Sequence, residues 1–151
     1  MKFVRNILLA FTLALGAALG AASAALAEGK THYIVFHVDE NNPKVMNITL
    51  NNVQNVRKYY ESKGDKVVIE IVAYGPGLVM YVPGKSPVEK RIETMALEMD
   101  DITFSACGNT KRKMEKKLGH PVKIMSEAQV VPSGVVRIVE LQEQGYAYVR
   151  P

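Results

Sequence analysis

The chain has 151 residues, one cysteine, three histidines and a net charge of +4. A single cysteine excludes an internal disulfide, and one cysteine with three scattered histidines offers no standard zinc spacing. There is no Walker or dinucleotide fingerprint and no Ser/His/Asp motif, so neither a metal nor a cofactor is expected.

The first stretch reads as a targeting segment. Lys2 and Arg5 precede an uncharged apolar run from Ile7 to Leu19, and Ala25-Leu26-Ala27 places small residues before Glu28. That order predicts a secretory signal peptide over residues 1–27. The run is short of the about 20 residues that span a bilayer. One mature domain over residues 28–151 is expected, periplasmic and free of the membrane once the leader is cleaved. Without Lys2 and Arg5 the net charge drops from +4 to +2. With so little charge and no aromatic platform beside the lysines, nucleic acid is not an expected partner.

In the mature chain, His32 to Val38 is rich in β-formers and predicts the first strand. Asn41-Asn42-Pro43 supplies a helix cap and a proline just inside it. Met46, Leu50, Val53, Val56 and Tyr60 then mark one face of a helix that Gly64 stops. Val67 to Tyr74 is almost continuously apolar, as in a strand covered on both faces. Gly75-Pro76-Gly77 breaks it. Leu78 to Val82 is too apolar for a free loop and predicts a packed turn, with an association surface as a further expectation. Ser86-Pro87-Val88-Glu89 predicts a capping box, and Val88, Ile92, Met95 and Met99 the buried face of the second helix. Ile102 to Cys107 is the third strand. A short third helix follows, with Met114 and Leu118 inward and Gly119 at its end. Between His120 and Val131 both Val122–Met125 and Gln129–Val131 are β-like, the second being preferred. Pro132-Ser133-Gly134 opens a last helix with Val135, Ile138, Val139 and Gln142 inward. Gly145 stops it before a final strand, Tyr146 to Val149. This alternation predicts a three-layer α/β/α sandwich around a mainly parallel five-stranded sheet, flavodoxin- or Rossmann-like in topology.

Several motifs run in a specific order: Tyr33 to Glu40, Met46 to Asn52, Ala73-Tyr74-Gly75-Pro76-Gly77, Ser105-Ala106-Cys107-Gly108-Asn109-Thr110, and Val131 to Val136 running into Glu140 to Tyr146. In that order the chain resembles the DsrE/DsrF-like family, in its exported branch, over essentially the whole mature length. The resemblance implies a homo- or hetero-oligomer, often a trimer or hexamer. It also implies a cysteine that carries sulfane sulfur as a persulfide, a role that falls on Cys107, with a sulfur donor or acceptor protein as partner.

The candidate site collects the loops after the strands. Cys107 lies where a strand ends and a helix begins, the edge where open α/β sheets bind ligands and where helix N–H groups favour a thiolate. Around it stand Asp39 and Asn41, then Gly75, Pro76 and Gly77, then Gly108, Asn109 and Thr110, then Pro132, Ser133 and Gly134. The glycines either let backbone approach a ligand or make tight bends. His37, on the same sheet edge, is either a base for the thiol or a satisfied core histidine. The basic run around Lys111 and Arg112 either lowers the thiol pKa and binds an anion, or is a solvated face. Glu70, in a buried strand, needs a cationic partner, expected across an interface. Two functions follow: a thiol-based sulfur carrier or sulfurtransferase, or a non-enzymatic oligomeric module that binds a small anion or a partner, with Cys107 a spectator.

Overall fold

The computed structural model describes residues 29–151, so the expected signal peptide lies outside the described residues. The elements are β1 (Thr31–Val38), α1 (Pro43–Glu61), β2 (Lys66–Ala73), a 3₁₀ helix (Gly75–Tyr81), α2 (Glu89–Glu98), β3 (Ile102–Cys107), α3 (Gly108–Leu118), β4 (Ala128–Val131), α4 (Gly134–Glu143) and β5 (Ala147–Val149). The strands form one sheet in the order β4-β3-β2-β1-β5. Every neighbouring pair is parallel.

The order fixes the layers. From β1 to β4 the chain steps across the sheet in one direction, and right-handed crossovers put α1, α2 and α3 on one face. The return from β4 to β5 runs the other way and puts α4 on the opposite face. The residues agree with this. Phe36, Ile69, Ile71, Phe104 and Ala106 meet Met46, Leu50, Ile92 and Met95 in the larger core. Val35 and Val72 point to the other side and meet Ile138 and Leu141 of α4. Loops after β1, β2 and β3 lead to one face and the loop after β4 to the other. The chain therefore parts between the carboxyl ends of β3 and β4, where such sheets form a binding crevice.

Local chemistry explains most boundaries. Asn42 caps α1 by accepting from the Lys44 N–H at 2.9 Å, with Pro43 next. Gly64 and Gly119 take positive φ at helix ends, which suits a residue without Cβ. Several expectations need correction. The Leu78–Val82 segment is no surface patch: Leu78, Met80 and Tyr81 are fully buried, and the Tyr81 hydroxyl donates to the Ile71 carbonyl at 2.8 Å. The capping box at Ser86 does not form, because Glu89 instead accepts the Gly84 N–H at 2.7 Å and α2 begins at Glu89. Leu118 is exposed rather than inward.

Helix α4 keeps the expected Ile138 inward but turns the expected Val135, Val139 and Gln142 outward. Gly134, Ile138 and Leu141 are buried, whereas Val135, Val136 and Val139 are 54%, 51% and 49% exposed. Both stripes are apolar at helical spacing. Only Gly134 lacks a side chain, so only its stripe can approach the sheet closely. Glu70 finds its partner within the chain. Arg137 of α4 donates from Nε at 2.8 Å and from Nη2 at 2.7 Å to the two carboxylate oxygens. The Ser105 hydroxyl donates to Glu70 at 2.6 Å, and Gln129 donates to Ser105 at 3.1 Å.

Candidate functional site

Cys107 sits at the carboxyl end of β3, in register with Val131 of β4. It ends β3, precedes α3, and is 3% exposed. The neutral side chain makes no capping bond to α3. The charged form is served far better. Burial pushes the thiol pKa up, but the Thr110 hydroxyl and the backbone N–H groups of Gly134, Thr110 and Asn109 favour the thiolate, and the net direction is down. Two loops build this cradle together, and the Asn109 N–H also donates to the Pro132 carbonyl at 3.2 Å. Lys111 and Arg112 turn elsewhere: Lys111 meets Glu115 at 2.5 Å and Arg112 bonds the Asn109 side chain. The leading influences that lower the thiol pKa are the Thr110 hydroxyl and backbone N–H groups.

Gly134 lets α4 close onto the thiol. A Cβ there would lie 2.9 Å from Tyr74 Cβ, 3.0 Å from Tyr74 Cδ1 and 3.1 Å from Cys107 Cβ. Tyr74 thus lies beside Cys107, and on its other side it stacks on the His37 ring at 4.5 Å.

His37 does not meet the sulfur. Strand β2 lies between β1 and β3, and two strand spacings amount to about 10 Å. The expectation that His37 serves as the direct base of Cys107 is therefore corrected. His37 Nδ1 instead pairs with the Tyr148 hydroxyl at 2.6 Å. Its Nε2 is buried without a hydrogen-bond partner among the described residues, 3.9 Å from Asp39 Oδ2. Asp39 is itself clamped by Arg150, which donates to both carboxylate oxygens at 3.1 and 3.0 Å.

No protein-family model matches the chain, and no curated protein matches it. Among solved structures it is similar to MTH1491 from Methanobacterium thermoautotrophicum, a protein of unknown function. The two share 29% identity with a TM-score of 0.66, over 82% of this chain and 99% of the other. The likeness supports the α/β/α fold.

The other rim residues divide between two places. Gly134, Asn109 and Thr110 surround the sulfur, and Pro132, Ser133 and Gly108 form the turns that bring them there. Asn41, Gly75 and Pro76 line a separate cleft, and only Thr110 belongs to both. Its hydroxyl accepts the Gly75 N–H at 2.9 Å and serves the thiolate. Gly77 is buried against the β1 backbone. Sequence reasoning missed Tyr74, Tyr148 and Arg150, the last two lying more than 70 positions from the first. A tyrosine closing an apolar strand beside Gly-Pro-Gly was the one available signal.

Burial lowers the His37 pKa most, Asp39 raises it and Arg150 lowers it, for a net lowering from 6.5. The unfolded chain then binds this proton more readily than the folded one. The contribution to stability is complete above pH 6.5 and is lost as pH falls through the lowered folded value. Thermal unfolding of His37→Gln should show a weaker loss of Tm on the acid side of neutrality than wild type. Parallel acid limbs would refute this assignment.

Proposed function

We propose that the chain is an exported, DsrE-like carrier or transferase of sulfane sulfur, acting as a periplasmic homo-oligomer with a sulfur donor or acceptor protein as partner. The observation that carries this reading is the place of Cys107, the last residue of β3 and the cap position of α3, with Gly134 of α4 closed onto it and N–H groups of both helix starts favouring its thiolate. Such a cradle stabilises a thiolate and, equally, the terminal anionic sulfur of a persulfide. The step balances without an added oxidant. The Cys107 thiolate attacks the outer sulfur of thiosulfate, the new S–S bond forms as the old S–S bond breaks, and sulfite leaves with its electron pair. The product is the Cys107 persulfide anion. Val135, Val136 and Val139, facing outward from α4, support the oligomer.

The test is mass spectrometry after incubation with thiosulfate or polysulfide. Wild type should gain the mass of one sulfur atom, and Cys107→Ser should gain none while keeping its circular dichroism spectrum and its mass by light scattering. One observation favours the second reading, a module that binds a small anion or a partner: Cys107 is only 3% exposed. A wild-type thiol that stays unmodified by sulfur donors and by iodoacetamide until denaturation would establish that reading in place of the carrier.

A further inference from the structure

On the side of the larger core, a cleft of about 330 Å³ opens between the loop after β2 and helix α3. Its walls are Asn41, Gly75, Pro76 and Val79 on one side and Thr110, Lys113, Met114 and Lys117 on the other. The volume falls at the lower end of the about 300–1,000 Å³ usual for small-molecule sites. The four helix residues follow the i, i+3, i+4, i+7 spacing of one helix face, so α3 presents Thr110, Lys113, Met114 and Lys117 together. Val79 and Met114 pack against the core and make the floor apolar.

The charge on this cleft has one sign. Both ionisable lining residues are lysines, and among the described residues neither meets a carboxylate, unlike Lys111 with Glu115 and Arg57 with Glu61. Two lysines four apart on one helix face repel each other, and a bound anion relieves that repulsion. The Asn41 side chain likewise has no hydrogen-bond partner among the described residues and adds a donor and an acceptor at the mouth.

We propose that this cleft binds a small organic anion with an apolar body, its alkyl or aryl part on Val79, Pro76 and Met114 and its acid group between Lys113 and Lys117. Cys107 is not among its walls and the ligand makes no covalent bond, so the cleft shares only Thr110 with the thiol site. The charge selects the acid, and the floor selects the hydrocarbon over a bare inorganic ion.

Titration of the labelled full chain with hexanoate, followed by amide NMR shifts, tests this. Saturable shifts are expected at Gly75, Val79, Thr110 and Met114. Hexan-1-ol, which lacks the charge, and acetate, which lacks the hydrocarbon, should each bind clearly more weakly. The double variant K113E/K117E should weaken hexanoate by about tenfold or more, and both lysines are exposed, so the fold is not at stake. Absent or scattered shifts, equal binding of either control, or undiminished binding by the double variant would each overturn the proposal.

Discussion

Gly77→Ala should destabilise the protein by about 3 kcal/mol or more, the upper end of what overpacking costs. A Cβ at this position would lie 2.3 Å from the Val38 carbonyl oxygen, 2.7 Å from its carbon and 2.9 Å from the Asp39 nitrogen. All three are backbone atoms, so no side chain can swing away to make room. Relief requires the 3₁₀ helix to move off the end of β1. That movement would also pull Gly75 from Thr110 and disturb the donor set around Cys107. Urea unfolding should therefore show a large drop in midpoint, and sulfur loading should fall with it. A loss under about 1 kcal/mol would mean that this close approach is not what holds β1 and the 3₁₀ helix together.

Arg137→Met should cost about 3 kcal/mol, the lower end for breaking a buried ion pair, because Arg137 keeps some contact with water. Glu70 is 3% exposed and would be left as a buried charge with only the Ser105 hydroxyl to satisfy it. Glu70→Gln in the same background removes that charge and should recover part of the loss. Denaturant unfolding of both single variants and the double closes the cycle. Additive losses would show that Glu70 and Arg137 do not act as a pair. Because Arg137 is the polar anchor of α4 on the sheet, the single variant should also loosen Gly134 from Cys107 and slow sulfur loading.

Much of the fold was legible because the signals were local. Asn42 and Pro43 start α1 by chemistry within four residues, and the Val67–Tyr74 run announces a doubly covered strand. The helix faces were less legible where two apolar stripes competed. On α4 the expected Ile138 is buried, but the expected Val135, Val139 and Gln142 gave way to Gly134 and Leu141, because Gly134 decides which stripe can reach the sheet. At the site, Cys107 was legible as a strand-end residue next to glycine, and Asn109, Thr110 and Gly134 as residues of the loops after the strands. His37 was legible as an edge residue, but not its separation from the thiol, because the strand order is not written in any one segment.

By itself the sequence determined the alternation of strands and helices, the single thiol at a helix start, and the glycines and prolines that punctuate the rim. These follow from periodicity, capping and φ restriction, which act over a few residues. Only the tertiary structure decided that β2 stands between β1 and β3, that Tyr74 separates His37 from Cys107, and that Arg137 reaches Glu70 across 67 positions of chain. The rim likewise split into a thiol cradle and a lysine-edged cleft only once the crossovers placed α3 on one face of the sheet and α4 on the other. Those outcomes depend on which faces pack together, and packing is settled by the shape of the whole sheet rather than by any neighbour in sequence.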